Sequence, residues 1–258
     1  MKRLAHPIFW QLVSRSIRKD YLENLTGFAW LILQPLMLLS VYAFVFSTIF
    51  KARVPDSLDV GFVAYLAVAF WPWTAFSEAV LKAGGTVRAN AALIGKVAFP
   101  SELLPLSMVV ATFLMNMAGY AAVLVVLSLT GTDIHWLGVV AMLPVLVLLA
   151  VLAGAIGLVM SALQVFVRDV AQILPPLMTF WFFTTPILYS PTYLPDRLAE
   201  VIAWNPMAWF VGFVRAAALQ GELHPGLAGI AIAVSALLLF WLGLRFFRRL
   251  SGHFEDFL

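Results

Sequence analysis

No cysteine occurs among the 258 residues, which excludes disulfides, thiol metal sites and a thiolate nucleophile but leaves the cellular compartment open. Charge is scarce as well: Asp, Glu, Lys and Arg make up 11% of the chain, and the net charge is only +3, too small a surplus to point to a nucleic-acid partner. The four histidines, His6, His135, His224 and His253, lie far apart and lack the i, i+4 pairing of a helical zinc site. There is no nucleophile elbow. The run Gly95-Lys96-Val97 is no phosphate loop, because position 90 is Asn where the first glycine belongs and Val97 stands where Ser or Thr would hold magnesium. The chain is therefore expected to be non-catalytic, with no cofactor or metal of its own.

What is abundant is apolar surface. At 63% hydrophobic residues, the sequence holds more than one soluble domain of this size can bury. Uncharged runs extend over Phe28–Phe50, Val60–Ser77, Leu103–Thr132, Trp136–Val167, Val170–Pro195 and Gly226–Leu244. Crossing about 30 Å of hydrocarbon takes about 20 helical residues, so an all-α, polytopic protein with six transmembrane helices is expected. The spans fall at about 28–50, 60–81, 103–130, 136–164, 170–188 and 226–246. Val201–Val214 is too short to cross and contains Asn205-Pro206; with the residues before it, about 189–215, it is expected to dip into the membrane and return. Twelve of the 16 Lys and Arg fall on one side of this arrangement, which puts both termini in the cytoplasm. The first apolar run is too long for a cleavable signal and has no Ala-x-Ala after it.

Residues 1–27 place Phe9, Trp10, Leu12, Val13 and Ile17 against Arg15, Arg18 and Lys19, the pattern of an amphipathic helix on the inner leaflet; the competing reading is a basic tail that only sets orientation. Residues 28–249 form the transmembrane domain and 250–258 a cytoplasmic tail. Between spans 2 and 3, Gly84-Gly85 and Pro100 bound an Ala-rich stretch that is expected to form a short cytoplasmic helix. Glu78 is the most membrane-proximal acid, with functional and structural readings both open. The spans lack the several embedded ionisable groups of a secondary transporter, so energy is expected from another subunit.

Residues 179–191, Thr-Phe-Trp-Phe-Phe-Thr-Thr-Pro-Ile-Leu-Tyr-Ser-Pro, set four aromatics in a row before two prolines. Consecutive helical residues advance about 100°, so Phe180, Trp181, Phe182 and Phe183 surround their helix and some face inward whatever its rotation. Pro186 and Pro191 then interrupt the hydrogen-bond ladder. Pore lining and lipid-facing aromatic belt are the two readings. Arg215 meets either a polymer or an interfacial carbonyl. Arg168-Asp169 starts a helix or braces a partner.

Several stretches together carry a resemblance: 14–50 (beginning Ser-Arg-Ser-Ile-Arg-Lys), 90–106 (Asn-Ala-Ala-Leu-Ile-Gly-Lys-Val-Ala-Phe-Pro onward), 167–177 (Val-Arg-Asp-Val-Ala-Gln-Ile-Leu-Pro-Pro-Leu), 190–221, and the terminal Phe-Phe-Arg-Arg-Leu-Ser-Gly-His-Phe-Glu-Asp-Phe-Leu. The chain resembles, collinearly over nearly its whole length, the membrane subunits of ABC-2 type polysaccharide exporters, the permeases for O-antigen, capsule and teichoic-acid chains. Ser16, where an acidic residue is common, and Thr26-Gly27, where Leu-Gly is frequent, blur the subfamily.

The resemblance implies a homodimer with two separate cytoplasmic ATPases that bind ATP and Mg. It also implies a coupling helix built from Asn90, Leu93, Ile94, Gly95, Lys96 and Phe99, and a substrate path and outer gate built from Phe180, Trp181, Phe183, Pro186, Tyr189, Pro191, Asn205, Pro206 and Arg215. Arg15, Arg18 and Lys19 would meet membrane lipids or the phosphate of a lipid-linked polysaccharide at the inner leaflet, and periplasmic export components would receive the product. The rivals are an exporter of a drug or small lipid and a membrane-embedded glycan-processing enzyme. For the enzyme, Asp133, His135, Asp196, Arg197 and Glu200 are available in outer loops, without a recognisable motif.

Overall fold

The computed structural model describes residues 2–19, 27–52, 54, 55, 58, 60–94 and 99–257, with side chains of the first two helices from Pro7 and Leu33 onward. Among these residues there is no strand. The helices are α1 (Lys2–Ile17), α2 (Gly27–Phe44), α3 (Phe62–Ala89), α4 (Ala91–Ile94), α5 (Leu103–Leu129), α6 (Trp136–Ala141), α7 (Leu143–Phe166), α8 (Val170–Thr184), α9 (Asp196–Ala203), α10 (Pro206–Arg215) and α11 (Gly226–Ser251). Wider π turns, Val45–Ile49 and Ala216–Gln220, extend α2 and α10.

The centre of the bundle is α3, which α5, α7, α2, α8 and α10 surround. Its sequence explains this. Ala64, Ala67, Ala69, Ala75, Ala79 and Ala83 are all buried, and such small side chains let neighbouring helices come close where lipid supplies no hydrophobic drive for association. A Cβ on Gly157 of α7 would lie 2.8 Å from the Cβ of Ala83, so the two helices meet at a contact only glycine permits. Two buried rings bond across helices: the Trp71 indole donates to the Asn116 carbonyl (2.9 Å) and the Tyr120 hydroxyl to the Val68 carbonyl (3.0 Å). By contrast, α11 shows Leu227, Ile230, Val234 and Leu237 to the outside, as a lipid-facing helix does.

Among the described residues, three helical stretches are long and apolar enough to cross a membrane: α5, the α6–α7 pair (Trp136–Phe166) and α11. The α9 and α10 limbs pass that test only together, and they are bent by 94° at Trp204-Asn205. This limb runs on to Gln220, past the expected end near 215. At 28 residues α3 is also long enough, about 42 Å, but carries Glu78, Lys82 and Arg88 toward one end. A crossing was expected over 170–188; the helix there has 15 residues and ends at Thr184, about 22 Å, because Thr185 turns extended ahead of Pro186.

One expectation is corrected outright. Gly84-Gly85 do not break the chain before a cytoplasmic helix, since α3 continues through both to Ala89. Gly84 is buried, with the Gln164 amide 2.8 Å from where its Cβ would be, so its smallness serves contact with α7 and α8. The short helix that follows is a single turn, Ala91–Ile94. At this end of the bundle Val87, Leu158, Phe247 and Phe254 form a second core, and Glu102 pairs with Arg248 at 2.8 Å.

Candidate functional site

The aromatic row is divided by the rotation of α8. Leu174, Met178 and Phe182, four residues apart, form the one buried stripe of this helix. Phe182, 5% exposed, stacks on Tyr42 (5.4 Å between ring centroids) and meets Phe70 and Trp73 edge-on or tilted. Trp181 turns partly inward too, edge-on to Phe76 at 5.3 Å. Phe180 and Phe183 point out of the subunit and are 68% and 50% exposed. With Ile173, Leu177 and the polar Gln172 and Thr179, they give α8 a broad unpartnered face.

Asn205 ties the end of α8 to the start of α10. Its Oδ1 accepts from the Trp181 indole (2.9 Å) and from the Met207 amide (3.0 Å), the latter as a helix N-cap with Pro206 in the first turn. Its Nδ2 donates to the Thr184 carbonyl (3.2 Å) and the Thr185 hydroxyl (3.0 Å), and that hydroxyl donates to the Trp181 carbonyl (2.7 Å). The side chain thus makes four hydrogen bonds at the point where one helix has ended and another begins.

Arg215 closes the other side of the turn. It is 6% exposed, and its Nη1 and Nη2 donate to the carbonyls of Pro186 and Ile187 at 2.6 Å each, while Nε donates to the Tyr65 carbonyl at 3.0 Å. The guanidinium also lies 3.6 Å from the Tyr65 ring centroid, a cation–π contact. Of the two partners the sequence left open, the structure places backbone carbonyls against this side chain. Burying a guanidinium is costly unless its donors are bonded, and the carbonyls beyond the end of α8 need donors in turn. Each need satisfies the other. Further along, the Tyr189 hydroxyl donates to the Phe183 carbonyl (3.3 Å), Pro191 opens a short 3₁₀ turn capped by Ser190, and the Tyr193 hydroxyl donates to the Val54 carbonyl in the connection between α2 and α3 (3.1 Å).

At the opposite end, Arg15, Arg18 and Lys19 are exposed on and just beyond the last turn of α1. Asn90 terminates α3, its Nδ2 donating to the Thr86 carbonyl at 2.8 Å. Ile94 rests against the second core, Leu93 and Phe99 are half-buried, and Gly95 and Lys96 lie outside the described residues. Glu78 accepts from Lys82 (2.9 Å) and from Asn116 Nδ2 (2.7 Å), a bonded structural acid. Among the described residues no three His, Cys, Asp or Glu come together as metal ligands.

Sequence reasoning missed Tyr65, Thr184, Thr185 and the inward role of Phe182. The adjacency of Thr185 to Pro186 is a signal for a helix terminus that was open to reading. The pairing of Arg215 with carbonyls 28 and 29 residues earlier has no local signal.

A helical bundle with several helices long and apolar enough to cross a bilayer is that of a multi-pass membrane protein. The chain belongs to the ABC-2 type transporter family, which matches residues 7–219. It is 28% identical over 249 residues to the O-antigen export system permease protein RfbA of Myxococcus xanthus, covering 95% of this chain and 93% of that one. A protein of the same description from Klebsiella pneumoniae is 24% identical, covering 96% and 93%. The polysialic acid transport protein KpsM of Escherichia coli is 24% identical, covering 92% and 91%. Membership in a transporter family sets the enzyme reading aside.

Proposed function

We propose that this chain is the membrane permease of an ATP-driven exporter that moves a cell-surface polysaccharide, carried on a lipid, out of the cytoplasm across the bacterial inner membrane. The observation that carries this reading is the end-to-end similarity to relatives named for O-antigen export and polysialic acid transport. In this reading two copies form the channel, each crosses the membrane six times with both termini in the cytoplasm, and two separate ATPase subunits supply ATP and Mg chemistry.

The geometry supports it in a physical way. The exposed rings of Phe180 and Phe183 present flat apolar faces beside polar Gln172 and Thr179. Aromatic faces stack on the C–H surfaces of sugars without demanding one hydroxyl pattern, which suits a sliding chain. The bent α9–α10 segment, tied down by Asn205 and Arg215, is the outer gate of that path. Among the described residues of the coupling stretch, α4 and Phe99 sit between the cytoplasmic ends of α3 and α5, where displacement by an ATPase moves both.

Deletion of the gene tests the reading. Surface glycan disappears while lipid-linked glycan accumulates inside the cell, and the wild-type chain restores export only with its ATPase present. Normal surface glycan in the deletion strain would sink it.

A further inference from the structure

Helix α11 packs on α7 along most of its length: a Cβ on Gly243 would stand 2.8 Å from the Ala155 carbonyl oxygen, and the Phe240 ring lies against Gly154. Its C-terminal end is different, because there the chain also joins the ends of α3, α4 and α5. Past Ser251 the helix stops, and a 3₁₀ turn, Phe254–Asp256, buries Phe254 completely in the second core. That ring is edge-on to Phe247 of α11 (5.3 Å between centroids) and tilted against Phe166 at the end of α7 (6.0 Å). Phe257 meets Phe166 edge-on as well (4.8 Å). The same core takes Val87 from α3 and, packed against it, Ile94 from α4 and Leu106 from α5.

An ion pair makes a second link at this end. Glu102 stands at the N-cap of α5, where a side-chain oxygen can bond the helix's own free N–H groups, but it makes no cap bond. Its Oε1 instead accepts from both Nε (2.9 Å) and Nη2 (2.8 Å) of Arg248, in the last turn of α11. The Arg248 side chain is 61% exposed, and an ion pair so open to water adds little to stability. Its use is geometric: it ties the last turn of α11 to the chain just beyond Phe99. We propose that Arg248 and Phe254 are positioning residues for transport, forming a strut through which displacement of residues 90–99 is delivered directly to α11. Helices that meet only on apolar faces can slide past one another, whereas a buried ring held by α7 and α11 together with a guanidinium gripping α5 makes their ends move as one body. The strut rests on the reading that an ATPase acts through residues 90–99. It extends that reading, because a push at this stretch acts first on α3 and α5, the two helices it connects.

Inside-out vesicles holding the permease and its ATPase, supplied with a radiolabelled lipid-linked glycan, separate a strut from a merely structural contact. Arg248→Glu sets two acids against each other. The variant melts near the wild-type temperature, copurifies with the ATPase and still hydrolyses ATP, yet glycan uptake falls by about tenfold or more. The exchange of both charges, Glu102→Arg with Arg248→Glu, restores most of the uptake. Phe254→Leu keeps uptake, and Phe254→Ala lowers it at temperatures where the variant is still folded. Normal uptake with Arg248→Glu overturns the strut, as does a loss that the charge exchange fails to restore. Loss of the ATPase from Arg248→Glu also overturns it, since the arginine would then serve the partner and not α5. The reading beneath it is tested apart, by ATPase copurification with Leu93→Asp: retention there removes the coupling stretch, whereas normal uptake with Arg248→Glu removes only the strut.

Discussion

Arg215 donates from Nη1 to the carbonyl of Pro186 at 2.6 Å, so the last residue of α10 holds the turn that follows α8. Together with the bonds to Ile187 and Tyr65, this joins the turn after α8, the end of α10 and the first helical turn of α3. Arg215→Met leaves three buried carbonyls without that donor and is expected to cost on the order of 3 kcal/mol or more. The melting temperature in detergent falls and proteolysis within 189–204 speeds up; Arg215→Lys recovers only part, because an ammonium cannot span the three acceptors. Unchanged melting and proteolysis in Arg215→Met contradict the latch.

Trp181 and Asn205 share one hydrogen bond and are expected to couple. Removing the cap by Asn205→Ala costs about 1 kcal/mol for α10 alone, and the orphaned indole adds to this. A double-mutant cycle with Trp181→Phe gives a coupling of about 1 kcal/mol, read from chemical unfolding. Strict additivity shows that the bond carries no free energy.

Cysteine is absent from the chain, so single cysteines report accessibility without any prior engineering. Phe180→Cys and Phe183→Cys react with a water-soluble thiol reagent in at least one nucleotide state of the assembled transporter, whereas Phe182→Cys stays protected among Tyr42, Phe70 and Trp73. Reaction at neither exposed position assigns those rings to lipid or to a subunit contact, and the path then runs elsewhere. Phe180→Leu and Phe183→Leu slow export at matched membrane levels, each by a few-fold, since one stacking contact is worth about 1 kcal/mol and many share the load.

Leu93 and Ile94 stand about 100° apart on the single turn of α4, and of the two Ile94 packs against the second core. Ile94→Asp sets a carboxylate against the second core and lowers the stability of the permease itself by about 3 kcal/mol. Leu93→Asp leaves the permease folded and removes copurification of the ATPase. Retained copurification with Leu93→Asp would take the coupling role away from this turn.

Much of the fold is legible in the sequence because the bilayer restricts the alternatives: uncharged stretches predict helices, and Asn205-Pro206 inside a short apolar run marks the break at which α9 and α10 meet at 94°. The failures have physical causes. Gly84-Gly85 look like breakers locally, yet a helix buried on several sides uses glycine for close approach, and which role applies depends on neighbours that α7 and α8 supply. Four consecutive aromatics have no periodicity of their own, so only the stripe Leu174–Met178–Phe182 tells which ring faces α3, and that stripe is hidden in a helix apolar on all sides. A buried arginine in a membrane segment signals a partner, but its partners were carbonyls freed by a proline far earlier in the chain. The short α8 was masked because residues 185–195 are as uncharged as the helix before them.

The most direct test of the account is transport itself. Inside-out vesicles containing this chain and its ATPase, loaded from outside with a radiolabelled lipid-linked glycan, are expected to carry the glycan into the lumen only with hydrolysable ATP, protecting it from added glycosidase, while the permease alone neither transports nor hydrolyses ATP. Glycan that stays accessible to the glycosidase with both subunits and ATP present, or ATP hydrolysis by the permease alone, contradicts it.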